Sequence, residues 1–208
     1  MNTKTKIEWC DTTWNPVVGC KRGCSYCYAE RLNDRFKFIP DWNKPEFFPK
    51  RLKDKMPNKP SKIFVCSMAD MFGDWVKDFW IEAVFATIRD NPRHTFQLLT
   101  KNPKRYLEFK CLTNPESPLF LKNVQCGVTI DVVNQARLNY LKQLPKEIYK
   151  FISFEPLLGD MSMLDLTGID LVIIGADSTK GATSPKKEWV DSIQHPNIFY
   201  KSNLKLKK

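Results

Sequence analysis

Phe151-Ile152-Ser153-Phe154-Glu155-Pro156, followed downstream by Leu171-Val172-Ile173-Ile174-Gly175, decides the reading of the fold. Each holds a short run of β-branched, apolar or aromatic residues that stops at a charge, a proline or a glycine. Runs of that length and make-up read as buried strands. Working outward, the same signature recurs at Ile63-Phe64-Val65-Cys66, Thr95-Phe96-Gln97-Leu98-Leu99, Val124-Gln125-Cys126-Gly127-Val128 and Ile198-Phe199-Tyr200. A strand near Trp14 to Val18 would begin the series.

Helical spacing lies between these runs. Val76 to Arg89 places Phe79, Trp80, Ala83, Val84 and Ile88 on one face and stops before Pro92. Pro103 to Phe109 reads as a short helix with proline at its start. Asp131 to Leu144 has Asp131 as its N-cap and ends at Pro145. Pro185 to Ile193 has Ser184 as its cap, and residues 157–166 are interrupted by Gly159. Strand–helix alternation implies an α/β chain with a parallel sheet and right-handed crossovers. Six or seven strands in 208 residues suit a doubly wound sheet or an incomplete barrel. A closed eight-stranded barrel typically takes about 250 residues.

One domain is expected over residues 1–208, interrupted by a basic and aromatic loop insertion at residues 33–60. That insertion carries Pro40, Pro45, Pro49, Pro57 and Pro60, with Phe36, Phe38, Trp42, Phe47 and Phe48 among its cations. Residues 31–60 carry a net charge of +5, half of the chain's total of +10. A basic excess of this kind favours polyanionic partners such as nucleic acid. Hydrophobic residues make up 42%, which argues against disorder. No apolar run approaches the roughly 18 residues of a membrane span, and no apolar stretch follows the first charges, so the expectation is a cytoplasmic chain with no membrane partner. Seven cysteines, an odd number, favour reduced thiols or a metal site over a disulfide framework.

Chemistry concentrates in Gly19-Cys20-Lys21-Arg22-Gly23-Cys24-Ser25-Tyr26-Cys27-Tyr28-Ala29-Glu30, with the spacing C-x3-C-x2-C. Three thiolates this close can converge on one centre only if the chain loops, and Gly19 and Gly23 permit that. Structural zinc prefers four ligands, commonly two pairs. Three cysteines suit a cubane iron–sulfur cluster that leaves one iron without a protein ligand. Zinc stays open as the alternative, with Cys10 as a fourth ligand. Cys66 and Cys126 sit inside apolar runs and read as small hydrophobes. His94 and His195 have no second ligand at metal spacing, and the chain has no phosphate-binding glycine loop and no G-x-S-x-G motif.

The motif, with Tyr26 as the aromatic before its last cysteine, resembles that of the radical S-adenosylmethionine (SAM) superfamily. The resemblance implies an incomplete (β/α)6 TIM-like barrel and a [4Fe-4S] cluster on Cys20, Cys24 and Cys27. It also implies SAM bound through its amino and carboxylate groups at the open iron and cleaved to a 5′-deoxyadenosyl radical. An electron donor such as flavodoxin or ferredoxin is implied as a partner.

A narrower resemblance spans most of the chain. Ile7-Glu8-Trp9, Trp14-Asn15-Pro16, Ser67-Met68-Ala69-Asp70-Met71-Phe72, His94 to Lys101, Gly127-Val128-Thr129 and Phe154 to Gly159 are similar to an uncharacterised phage-associated three-cysteine family regarded as radical-SAM-like. A phage origin would make the compartment the host cytoplasm. The chain departs from that family at Gly175-Ala176-Asp177-Ser178-Thr179, where the family tends to Gly-Gly-Glu-Ser-Gly.

In β/α barrels the active site gathers at the carboxyl ends of the strands. There the sequence offers Ser67, Asp70, Thr100, Lys101, Thr129, Asp131, Glu155 and Asp177, with Lys201 and Asn203 after the last strand. By analogy with the superfamily, Cys66, Ser67 and Met68 lie near the SAM amino group. Tyr26, Thr129 and Asp177 are further cofactor-binding candidates, and Glu155, Asp70 and Lys101 are the catalytic ones. The expected function is a radical SAM enzyme that modifies a nucleic acid or nucleotide. Its rivals are a non-enzymatic, zinc- or cluster-stabilised nucleic-acid-binding protein and a structural phage component.

Overall fold

In the computed structural model, residues 5–205 are described. The termini of the expected domain, 1–4 and 206–208, lie outside these described residues. Seven strands form one sheet: β1 (Thr12–Trp14), β4 (Lys62–Val65), β5 (Thr95–Thr100), β6 (Val124–Thr129), β7 (Tyr149–Phe154), β8 (Leu171–Ile174) and β9 (Ile198–Tyr200). They pair in that order, every pair parallel. A small antiparallel pair, β2 (Val17–Val18) with β3 (Glu46–Phe47), stands apart. The expected strand at 14–18 is therefore split between two sheets.

An order that never reverses places all right-handed crossovers on one face of the sheet. The period-two alternation of each strand then divides two cores. Outward-facing Ile63, Val65, Phe96, Leu98, Val128, Ile152, Val172 and Ile174 pack under the connecting segments. The inner face carries Phe64, Phe151 and Ile173, buried against Trp9, with Leu99 and Phe199 beside them. The Phe151 ring lies directly on Gly127 of the neighbouring strand. The sheet curls over this inner core. Trp9, ahead of β1, reaches Phe151 at a ring separation of 5.8 Å. The Glu8 carboxylate accepts hydrogen bonds from Ser202 N at 3.0 Å and Ser202 Oγ at 2.9 Å, just past β9.

The expectation of an incomplete (β/α)6 barrel of the radical SAM type is corrected. The structure is a seven-stranded parallel sheet curled into a half-barrel, and its helical layer is sparse. The helices are α1 (Tyr28–Phe36), α2 (Asp78–Arg89), α3 (Lys110–Thr113), α4 (Gln135–Lys142) and α5 (Lys187–Asp191). Residues 155–170, between β7 and β8, hold no helix, and the segment expected at Pro103 to Phe109 is a 3₁₀ turn, Pro103–Glu108. On α2 the buried face is Ile81, Val84, Phe85 and Ile88, whereas Phe79 is exposed. Asn134 caps α4 in place of Asp131, accepting from Arg137 N at 3.0 Å. Lys186 precedes α5, not Ser184.

The region 33–60, expected as a loop insertion, carries a little regular structure. It holds the end of α1, β3 and a 3₁₀ turn, Pro49–Lys53. Trp42 and Ile39 are buried, and Phe47 stacks on Trp80 with ring centres 5.5 Å apart. Arg51 donates to Asn15 O at 2.7 Å, and its own carbonyl accepts from Trp14 Nε1 at 2.8 Å. No helix among the described residues is long and apolar enough to cross a membrane.

Candidate active site

The cysteine loop leaves β2 through Gly19, whose φ of +101° lies in the left-handed region. A β-carbon there would come within 2.8 Å of Ile39 and 2.9 Å of Trp42 O and Pro45 Cα, so only glycine fits. Gly19 N donates to Met68 O at 2.9 Å, and Cys20 N donates to Trp42 O at 3.0 Å. These bonds lay the loop across the carboxyl end of β4. Cys27 then starts α1, its sulfur accepting from Glu30 N at 3.4 Å. Asn33, buried on α1, exchanges two hydrogen bonds with the Ile39 backbone and so shapes the return of the chain.

Cys20, Cys24 and Cys27 are all half-exposed and line one cavity. Around it stand Ser67 and Asp70 after β4, Lys101 after β5, Thr129 at the end of β6, Glu155 after β7, Asp177 after β8 and Lys201 after β9. The cavity measures about 220 Å³. A hollow of about 450 Å³ near residues 161–169 and 192–196 is larger but has no cysteine, lysine or arginine in its wall. Chemistry, not size, singles out the first. Ligands of open parallel sheets bind at this end of the strands.

Two charged ties hold the cysteine loop to the sheet. In the first, Asp70 Oδ2 accepts from Arg22 Nε at 3.2 Å and from Lys101 N at 3.1 Å, while its Oδ1 accepts from Thr100 Oγ1 at 2.6 Å. The Arg22 guanidinium also lies 5.7 Å from the Trp75 ring centre. In the second, Tyr26 donates its hydroxyl proton to Asp131, which also accepts from Lys101 Nζ at 2.9 Å and Arg137 Nη1 at 3.0 Å. Lys101 Nζ donates to the Tyr26 oxygen as well. Burial and the adjoining Asp131 carboxylate push the Tyr26 hydroxyl well above its ordinary value. Partial burial alone would raise Asp131, but its bonds from Tyr26 and Lys101 hold the carboxyl well below the usual range.

A third group faces these across the cavity. Glu155 Oε1 receives Lys201 Nζ at 2.6 Å, and Oε2 accepts from Trp9 Nε1 at 3.0 Å and Ser153 Oγ at 2.9 Å.

Burial works against the thiolate form at Cys20 and Cys27. Burial raises Cys20 to about 11, and it also raises Cys27 although the Glu30 and Ala29 N–H groups oppose it. Among the described residues no three His, Cys, Asp or Glu side chains converge closely enough to hold a metal ion. The donors on one wall are three soft thiols. Three thiols are one short of the four ligands that structural zinc takes, and match in number a cubane cluster with one iron left without a protein ligand. The residues present fit a cluster on that ground. Cys10 does not join them. Its sulfur lies 3.6 Å from Ile7 O, and burial lifts its thiol to about 12.

Of the sequence-derived candidates, Tyr26, Ser67, Asp70, Lys101, Thr129, Glu155, Asp177 and the three cysteines line the cavity. Cys66 and Met68 do not. Cys66 is part of the outer core, with burial raising its thiol to about 12. Met68 packs behind the loop with Val18, Ala29, Ile39 and Trp42. Sequence reasoning missed Trp9 and Arg22; Asp131 stood among the strand-end residues, with a helix cap as its competing reading. No helical cap is needed there, because Asn134 supplies it.

Compared with protein-family models, residues 4–200 match the family described as "Protein of unknown function (DUF5131)". No curated protein and no solved structure matches.

Proposed function

The chain belongs to the family of proteins of unknown function DUF5131, and from that premise we propose a radical SAM enzyme that modifies a nucleic acid or nucleotide. Cys20, Cys24 and Cys27 would hold its [4Fe-4S] cluster, with SAM in the same cavity. The observation that carries the reading is that the three thiols of one loop share a cavity with charged residues from five strand ends. When bound, the cluster supplies one-electron reduction of SAM; that chemistry is the cofactor's, and the protein binds, orients and shields.

The chain's own residues have definite tasks in this reading. The Arg22–Asp70 and Tyr26–Asp131–Lys101 ties hold the cysteine loop in place. Trp9, Phe64 and Leu99 give the cavity an apolar wall. Ser67, Thr129 and Asp177 offer hydrogen-bonding groups to a ligand. Exposed Lys21 and Ser25 keep the loop at the surface, where a flavodoxin or ferredoxin would approach. A reducing cytoplasm suits the free thiols. Nucleic acid is favoured by the net +10 and by the exposed, paired Phe36 and Phe38 rings, with the Arg35 guanidinium 4.9 Å over Phe36.

Anaerobic reconstitution tests this. The protein should bind about four irons, and Cys20→Ala, Cys24→Ala and Cys27→Ala should each lose them while Cys10→Ala does not. SAM should alter the electron paramagnetic resonance signal of the reduced cluster, and dithionite with SAM should release 5′-deoxyadenosine. A protein that takes up zinc alone, or a full cluster indifferent to SAM, overturns the proposal.

A further inference from the structure

We propose that Lys201, braced by Glu155 above Gly175, is an anion-binding subsite that takes a carboxylate or phosphate oxygen of a ligand in the cavity. The identity of the ligand rests on the enzymatic reading above; the subsite itself rests on geometry.

Glu155 is held at both oxygens. Oε2 accepts from Trp9 and Ser153, and Oε1 accepts from Lys201 Nζ at 2.6 Å. The carboxylate is a fixed brace with little left to offer a ligand. Lys201 is the opposite case. An ammonium has three N–H donors, and among the described residues its side chain has one acceptor, Glu155. Lys101 on the far wall has two, Asp131 and Tyr26. The Lys201 side chain is 17% exposed and lines the cavity, so its two remaining donors are within reach of a ligand there. An anionic oxygen entering the cavity would accept from them through charge-assisted bonds.

The backbone makes room for the arrangement. A β-carbon on Gly175 would lie 3.0 Å from both Glu155 Cγ and Lys201 Cδ, and 3.1 Å from Glu155 Oε1. Without it the pair folds back against the sheet and leaves the cavity open. Lys201 N donates to Ile174 O at 2.9 Å, which fixes the root of the side chain. Asp177 is the nearby opposing anion, and its Oδ1 is engaged by Thr179 N at 2.7 Å. The plainer alternative is that the pair only ties β7 to β9.

Calorimetry on the full chain, with and without reconstituted iron, separates the two. The probes are adenosine monophosphate against adenosine, and SAM against decarboxylated SAM, which lacks only the carboxylate. In at least one pair the member that carries the anionic group should bind about tenfold tighter or more. Lys201→Met should erase that preference and Lys201→Arg should keep much of it. Gly175→Ala, which crowds the pair, should weaken it and serves as the second probe if Lys201→Met does not fold. A preference in the first pair assigns the subsite to a nucleotide phosphate, and one in the second pair assigns it to the SAM carboxylate. No preference in either pair, or one that survives Lys201→Met, overturns the proposal. Iron content and 5′-deoxyadenosine release on the same samples report on the enzymatic reading separately. A full cluster without anion preference sinks the subsite alone, and a Lys201-dependent preference without a cluster sinks the enzyme alone.

Discussion

Replacing Asp131 with asparagine removes one negative charge from between three partners without changing the side chain's shape. Asp131 accepts from Tyr26, Lys101 and Arg137, and its side chain is 18% exposed. Lys101 and Arg137 are 13% and 22% exposed, so neither cation can turn freely to water. Breaking a fully buried pair costs roughly 3–5 kcal/mol. Partial exposure reduces this to about 2 kcal/mol at pH 7, or roughly 4–8 °C in Tm for a chain of this size. The pH dependence follows from the depressed Asp131 carboxyl. A folded-state value below the unfolded one, about 3.9, means that the unfolded chain binds more protons as pH falls. The stabilisation is therefore complete above about pH 5 and drains away as pH drops below about 4. Urea denaturation of the iron-free chain at pH 7 and at pH 3.5 should show a gap between wild type and Asp131→Asn that narrows in acid. Equal stability at pH 7, or a gap that does not narrow, refutes the argument.

Other expectations follow from packing and charge. Gly127→Ala drives a β-carbon to 2.3–2.6 Å from the Phe151 ring and should cost about 1–3 kcal/mol in urea denaturation. Gly159→Ala, where a β-carbon meets nothing within 4 Å, should change little. Lys50, Lys53 and Lys55 are exposed, whereas Arg51 is held by Asn15 and sits 4.1 Å over Phe48. Reversing the three lysines to glutamate should weaken oligonucleotide binding and flatten a log–log salt slope of roughly −0.7 per phosphate contact. Unchanged binding and slope would leave the segment as packing. Arg51→Glu should instead destabilise the fold, because it breaks the tie to the segment that follows β1.

Much of the fold was legible because strand signals are local. Six of the seven strands of the main sheet coincide with the expected apolar or β-branched runs, β1 meets its run only at Trp14, and the parallel pairing follows from the segments between them. The (β/α)6 barrel implied by the resemblance was the error. Residues 155–170 bury Leu157, Met161, Leu164 and Ile169 without forming a helix, so burial there carries no helical period. A barrel's outer ring needs a helix at each crossover, and local apolar content does not reveal which crossovers lack one. Helix α1 escaped notice for the reverse reason. Only Ala29 and Asn33 on it are buried, its N-cap is a cysteine, and Lys37 ends it in the left-handed conformation. It is stabilised by contacts with Ile39 that lie outside the helix.

The site was legible in part for a reason that extends beyond the strands. Side chains alternate with a period of two, and the inner face is set by Gln97 and Leu99, by Gln125 and Gly127, by Phe151, by Ile173 and by Phe199. Continuing each count past its strand reaches Lys101, Thr129, Asp131, Glu155, Gly175, Asp177 and Lys201. Those positions make up much of the cavity wall and the two ion pairs behind it. Asp131 is therefore recoverable from sequence by the same count, once Asn134 is allowed to be the cap. Arg22 and Trp9 are not, since neither follows a strand in register. Their places depend on how the cysteine loop and the amino-terminal segment lie across the open ends of the sheet. The division is physical: what the pleat repeats can be counted from sequence, and what long-range docking supplies cannot. The lone glycine in this set, Gly175, falls where the count would put an inward side chain, and the space that it leaves is the one that the Glu155–Lys201 pair fills.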